Sequence, residues 1–185
     1  IAQVEPKLVD RTLTCNGVSK AYSMTGWRIG YAGGPKELIK AMTSFQSHAT
    51  ANASSISQAA ALGALTGDQS FLNGWRDTYK ARRDLVYGLI NKCPGLSCPM
   101  PEGAFYLYVD CSACMGKTTA GSVKIENDEQ FVTQLFEVEG VAAVHGAAFG
   151  LSPAFRISYA TSTEALTEAC ARIHRFCASL NANGA

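Results

Sequence analysis

The sequence predicts an α/β fold, and three observations carry that expectation. Stretches with apolar residues at three- and four-residue steps alternate along the chain with short period-two runs. Clusters of Gly, Pro and Asn separate them at the places where one period gives way to the other. The composition, 47% hydrophobic and 17% charged over 185 residues, supplies enough apolar side chains for a core. No internal repeat is present, so the alternation is that of layered α/β architecture rather than of a solenoid.

The elements follow in order. Thr12-Leu13-Thr14-Cys15 reads as a strand, ended by the turn pair Asn16-Gly17. Trp27-Arg28-Ile29-Gly30-Tyr31-Ala32 reads as a second. Its alternation puts Trp27, Ile29 and Tyr31 on one face and Arg28, Gly30 and Ala32 on the other. Gly33-Gly34-Pro35 breaks it, and Leu38, Ile39, Met42 and Phe45 then recur at helical spacing. Ala51 to Leu65 is Ala-rich and predicts a closely packed second helix. Asp68 caps a long third one, whose stripe is Phe71, Leu72, Trp75, Tyr79, Val86, Leu89 and Ile90, stopped by Pro94-Gly95 after about Lys92.

Ala104 to Val109 predicts a strand, and the aperiodic Ser/Thr/Gly/Ala/Lys-rich stretch from Cys111 to Lys124 a mobile loop. Asn127 with Gln130 forms a capping box for a helix with Phe131, Val132, Leu135 and Phe136 inside. Short strands are expected at Val141 to Val144 and Phe155 to Tyr159. Thr161 with Glu164 predicts the cap of a last helix that buries Leu166, Cys170, Ile173, Cys177 and Leu180, before a fraying tail from Asn181 to Ala185. The long helix separates two differently composed halves, which places the domain boundary along it: residues 1–74 and 75–185.

Several function classes are excluded. Sixteen Lys and Arg against fifteen Asp and Glu leave a formal charge of +1, so no electrostatic case arises for nucleic acid or a membrane surface. No apolar run reaches the length of a membrane span. Ile1-Ala2-Gln3-Val4-Glu5 has no secretory leader pattern. Seven cysteines, an odd number scattered over the chain, fit reduced thiols in the cytoplasm better than a disulfide scaffold. The absent initiator Met and the mid-element start raise the expectation that this is a piece of a longer protein.

Three side chains are candidates for chemistry. Lys20 follows the first strand, with small or aromatic neighbours and a second cation eight residues on. The plain reading is a solvated loop charge. The chemical one is an amine whose pKa is depressed by apolar crowding and a nearby cation, as imine formation requires. Arg28 has no Asp or Glu between positions 11 and 36 to pair with, and a guanidinium without an internal partner is suited to an external phosphate or carboxylate. Arg156 repeats the pattern in Phe155-Arg156-Ile157-Ser158-Tyr159, sharing its face with Ser158. Taken alone, each arginine is equally well read as half of a structural ion pair.

Asn16-Gly17-Val18-Ser19-Lys20-Ala21-Tyr22-Ser23-Met24-Thr25-Gly26-Trp27-Arg28-Ile29-Gly30-Tyr31 resembles the cofactor-attachment segment of class I, fold type I, pyridoxal-phosphate-dependent aminotransferases, in their bacterial aspartate aminotransferase branch. Pro101-Glu102-Gly103-Ala104-Phe105-Tyr106 is similar to that family's first small-domain strand, and Phe155-Arg156-Ile157-Ser158-Tyr159-Ala160 to its substrate-binding strand. The likeness runs the length of the chain but corresponds only to the family's C-terminal half. It implies a partial transferase fold of this type. Residues 1–74 would be a remnant of the large cofactor domain, and residues 75–185 the small domain.

The resemblance also implies roles. Lys20 would form the imine with pyridoxal 5′-phosphate and shuttle the substrate α-proton, Arg28 would bind the cofactor phosphate, and Arg156 would clamp the substrate α-carboxylate. Substrates would be an amino acid, aspartate or similar, and a 2-oxo acid, in a full-length homodimer whose partner active site is approached by Ser47 to Ser57. Groups that tune the cofactor ring belong upstream in the family, so the isolated chain is expected to be inactive.

Alternatives stay open. An aromatic, branched-chain or prephenate aminotransferase would carry the same motifs. A transcription regulator with an aminotransferase-like effector domain would keep Lys20, and a class I aldolase could use it. Gly116-Lys117-Thr118 lacks the first glycine of a P-loop, because position 111 is cysteine. Gly17-Val18-Ser19-Lys20-Ala21 lacks the last glycine of a nucleophile elbow, and His48, His145 and His174 have no ordered acid partner for a hydrolase triad. Cys111-x-x-Cys114 with Cys93 and Cys98 is a poor zinc pattern, so no metal is expected. His145, before the small-residue run Gly146 to Gly150, reads as structural or as facing the site.

Overall fold

A computed structural model describes residues 1–181. Of the tail Asn181 to Ala185 expected to fray, Asn181 is instead held by two backbone hydrogen bonds to Thr118, and residues 182–185 fall outside the described residues. The chain divides into two compact units, Ile1–Asn73 and Gly74–Ala185, each described by itself below.

The first unit opens with a 3₁₀ turn over Pro6–Arg11 and a two-stranded antiparallel ladder of β1 (Thr14–Gly17) and β2 (Gly30–Gly33). Both strands differ from expectation. β1 starts two residues late and contains Asn16-Gly17 instead of ending at it, because Gly17 is a ladder residue facing Gly30. A Cβ on Gly17 would lie 3.3 Å from the Ile29 carbonyl oxygen, and one on Gly30 would lie 3.2 Å from that of Asn16. The glycines therefore allow two backbones to approach closely at that rung. β2 begins only at Gly30, since Thr25–Trp27 forms a 3₁₀ turn closed by Arg28 in the left-handed region. The expected alternation through Trp27 and Arg28 does not exist.

Helices α1 (Lys36–Ala49) and α2 (Ser55–Thr66) follow, the second capped by the Ser54 hydroxyl. Their apolar stripes face outward more than helical spacing predicts: Phe45 is 77% exposed and Ile56 72%, while α2 buries only Ser57 and Ala61. Asp68 accepts from the Ser70 amide at 2.9 Å, one residue ahead of α3 (Phe71–Ile90).

The second unit takes the remainder of α3, whose Val86 and Ile90 are buried, and a three-stranded antiparallel sheet in the order β3-β5-β4. β3 is Tyr106–Asp110, β4 Val144–His145 and β5 Ala154–Ser158. β3 begins two residues later than expected because Ala104 is left-handed (φ 59), with its carbonyl held by the Tyr159 hydroxyl at 2.9 Å. Strand alternation decides what each face does. Leu107, Val109 and Phe155 turn inward, buried against α3, α4 (Asp128–Glu139) and α5 (Thr163–Ser179). Phe131 stacks on Phe155 at 5.2 Å and meets Phe176 edge-on at 5.3 Å. Tyr106, Tyr108, Arg156 and Ser158 share the opposite face.

α4 is capped as expected, with the Asn127 side chain accepting from the Gln130 amide at 2.9 Å. Phe136 is not inside: it is 57% exposed, one position off the buried stripe of Phe131, Val132 and Leu135. The cap of α5 is Ser162 rather than Thr161, accepting from Ala165 at 3.2 Å. Cys170 and Cys177 are buried in the core as predicted.

The stretch 111–124 is anchored rather than mobile. A 3₁₀ turn spans Ser112–Cys114, Cys111, Cys114 and Thr119 are buried, and Thr118 exchanges two 3.0 Å backbone hydrogen bonds with Asn181. All seven cysteines are free. Among the described residues no group of three or more His, Cys, Asp or Glu could hold a metal ion. Burial pushes the Cys111 thiol up to about 12 and that of Cys93 to about 11.

Asp128 is the buried charge of the second unit. Its Oδ2 accepts from the amides of Ala147 (3.1 Å) and Ala154 (3.2 Å), tying the start of α4 to the turn Gly146–Phe149 and to β5. Burial is the largest influence on this carboxyl and would raise its pKa. The Ser152 hydroxyl, the two amides and nearby His145 together outweigh burial and hold it below its ordinary 3.8. A depressed carboxyl stabilises the fold above its unfolded pKa and loses that contribution as pH falls through the folded one. Asp128→Asn is therefore expected to cost about 1.5–3 kcal/mol at neutral pH, where a charged acceptor is lost. The deficit should begin to shrink on acidification below about pH 4, where the carboxyl of the unfolded chain protonates, and shrink further as pH falls through the lower pKa of the folded one. Urea unfolding at pH 7 and pH 3 measures this, and an equal deficit at both would contradict it.

Candidate active site

Lys20 and Arg28 lie in the connection between β1 and β2. Because Gly17 pairs with Gly30, residues 18–29 leave and re-enter the ladder at the same end, which keeps both cations on one closed loop. The loop is a succession of tight turns: the Tyr22 amide donates to the Val18 carbonyl (3.3 Å), Ser23 to Lys20 (3.2 Å), and Trp27 to Met24 (3.3 Å). Val18 is fully buried and anchors the start. The Tyr22 hydroxyl donates to Gln69 Oε1 at 2.7 Å, and Gln69 Nε2 donates to the carbonyls of Ala64 and Gly67. The loop is thereby fastened to the segment between α2 and α3.

Lys20 is exposed, not enclosed by the apolar crowding that the sequence suggested. Arg28 is also exposed and is left-handed (φ 50, ψ 49), a conformation that disfavours a residue with a Cβ by about 1–2 kcal/mol. Ser23 shares it (φ 52). The Thr25 carbonyl accepts both the Arg28 amide (3.4 Å) and Nη1 (3.0 Å), so the side chain folds back on its own turn and keeps the rest of its fork uncommitted among the described residues.

Arg156 belongs to the second unit. It occupies the centre of β5, opposite Tyr108 on β3 and Val144 on β4, and is half-buried. Its guanidinium carbon lies over two aromatic rings, 4.3 Å from the centroid of Tyr106 and 4.3 Å from that of Phe149. The side chain has no hydrogen-bond or ion-pair partner among the described residues. A half-buried cation in that state can still donate all five N–H groups to an anion arriving from outside.

Sequence reasoning missed Tyr106, Phe149 and Asp128. Tyr106 was findable, since strand parity puts it on the face of Arg156. Phe149 stands shortly before Arg156 but in a turn rather than on the strand, and Asp128 reaches that turn from the start of α4, so strand parity reports neither. His145 does not join Arg156 by any hydrogen bond among the described residues, and its neighbour of consequence is Asp128.

This alternating α/β scaffold, with a lysine and arginine on one loop and a second arginine on a strand, is that of a pyridoxal-phosphate-dependent transferase fold in part. The family model for aminotransferases of class I and II matches residues 1–173. The chain belongs to that family. An aspartate/prephenate aminotransferase of Cereibacter sphaeroides is 63% identical over 180 residues, which cover 97% of this chain and 45% of that protein. A probable aspartate/prephenate aminotransferase of Rhizobium leguminosarum is 59% identical over 95% of this chain and 44% of its own length. Among solved structures, the aspartate aminotransferase of Rhizobium meliloti superposes with a TM-score of 0.94 at 56% identity, covering 97% of this chain and 45% of that one. An aromatic aminotransferase of Pyrococcus horikoshii superposes at 0.80 and 34% identity, over 90% and 43%. The chain spans about half the length of the curated relatives it matches.

Proposed function

We propose that the full-length protein transfers an amino group between an amino acid, aspartate or a close analogue, and a 2-oxo acid, using pyridoxal 5′-phosphate. The observation that carries this reading is the half-buried Arg156, whose donors are uncommitted among the described residues, in a chain of the aminotransferase family. The residues present suit the cofactor: an exposed amine at Lys20 for its aldehyde, and an uncommitted guanidinium edge at Arg28 for its phosphate. When bound, pyridoxal phosphate supplies an electron sink for the pair left on the substrate α-carbon.

The rest falls to the chain's own groups. Lys20 Nζ takes the proton from the substrate α-carbon and returns it at the next step. Arg28 holds the phosphate dianion in place by charge and in-plane hydrogen bonds. Arg156 binds the α-carboxylate through its N–H donors and so limits how the substrate can turn about its α-carbon. Residues 1–74 act as part of the large cofactor domain and residues 75–185 as the small domain. The full-length protein works as a cytoplasmic homodimer, a setting that the seven unpaired cysteines suit.

A second reading takes prephenate as the amino acceptor. It is favoured by the two relatives above, whose names carry both substrates. Incubating the full-length, cofactor-loaded protein with aspartate and either 2-oxoglutarate or prephenate separates the two. Aspartate consumption with 2-oxoglutarate alone supports the first, and aminated prephenate supports the second. No amino transfer from aspartate, phenylalanine or glutamate would refute both.

A further inference from the structure

We propose that Tyr106 and Phe149 are positioning residues for Arg156, setting its affinity for carboxylate substrates, and that Asp128 holds Phe149 in place. The proposal rests on the reading of Arg156 as a carboxylate anchor. Both rings attract the guanidinium through their faces, which steadies the cation without occupying a single N–H donor. An ion pair in the same place would compete with the ligand; an aromatic contact does not.

The two rings arrive by different routes. Tyr106 stands two places along β3 from Tyr108, the residue opposite Arg156, so it reaches the guanidinium diagonally across the sheet face. Phe149 ends the turn Gly146–Phe149, and four hydrogen bonds fix that turn and its flanks. The Asp128 carboxylate accepts from Ala147 at one end of the turn and from Ala154 at the start of β5. The Tyr108 hydroxyl is hydrogen-bonded to the Gly146 carbonyl (3.0 Å) and the Leu151 carbonyl (2.8 Å), bracketing the turn. Any Cβ on Gly146 would collide with the carbonyls of Leu151 and Ala154 and with the Tyr108 hydroxyl, so the backbone there is packed to its limit. Phe149 itself is 47% exposed and meets the Tyr108 ring edge-on at 6.3 Å. An aromatic so exposed contributes little to the core, and its ring meets Arg156 and Tyr108.

The test uses the full-length, cofactor-loaded protein and steady-state kinetics with aspartate. Phe149→Leu should raise KM for aspartate roughly three- to ten-fold, the span of a partly desolvated cation–π contact, with a smaller change in kcat. Phe149→Tyr, which keeps the ring face, should restore KM, a rescue that a merely structural role would not require. Tyr106→Leu is the second variant, expected to act in the same direction. Arg156→Lys separates the layers. If it raises KM while Phe149→Leu and Tyr106→Leu match the wild type, the ring proposal is overturned and the anchor reading stands. If Arg156→Lys leaves KM unchanged, both are overturned. Equal falls in kcat and kcat/KM for the ring variants, with no rescue by Phe149→Tyr, would also overturn the proposal.

Discussion

Replacing Lys20 with alanine in the full-length protein is expected to abolish the imine absorbance of bound cofactor and to lower amino transfer by at least about 10²–10⁴-fold, the range for loss of a positioned proton-transfer group. The fold should survive. Lys20 is exposed, and the buried Val18 side chain and the Tyr22–Gln69 hydrogen bond anchor the loop on either side of it. Circular dichroism and the melting curve should match the wild type while the visible spectrum does not. Wild-type absorbance and turnover in Lys20→Ala would end the proposed role of this amine, whatever else the chain does.

Arg156→Ala is expected to produce the largest loss of substrate affinity. Removing one partner of a bidentate Arg–carboxylate pair costs about 2–5 kcal/mol. By the usual conversion that is roughly thirty- to several-thousand-fold in the dissociation constant. Cofactor affinity, measured by equilibrium dialysis, should change far less, because the phosphate contact is assigned to Arg28. Equal losses for substrate and cofactor would mark Arg156 as structural. The arginine is central to β5 but has no ion-pair partner among the described residues, so no described carboxylate is left stranded by the change.

Much of the fold was legible because its signals are local. The α5 stripe, the Asn127 cap and the apolar parity of β3 and β5 are properties of neighbouring residues and agree with the structure, whereas the α3 stripe is buried only at Val86 and Ile90, with Phe71 and Trp75 exposed. The misses share a different origin. Ser23 and Arg28 are left-handed without being Gly or Asn, so no residue type marks the turn that replaces the strand of Arg28. The segment 111–124 has no period, but backbone bonds to Asn181 and burial of Cys111 and Cys114 fasten it, and those partners lie far along the chain. Phe136 has the right chemistry for the core at the wrong helical angle. For the site, three cations were visible as residue types in context, whereas the rings and carboxylate that organise Arg156 depend on tertiary contacts.

The place of β5 between two hydrogen-bonded neighbours has a thermodynamic consequence. A long flexible side chain ordinarily surrenders about 2 kcal/mol of rotamer entropy when it is immobilised by a ligand. Here the main chain of Arg156 is fixed by the sheet and its head group by aromatic faces, so most of that disorder is lost when the polypeptide folds. Association is then left with the ligand's own freedom to restrict, and the guanidinium meets each incoming anion already preorganised.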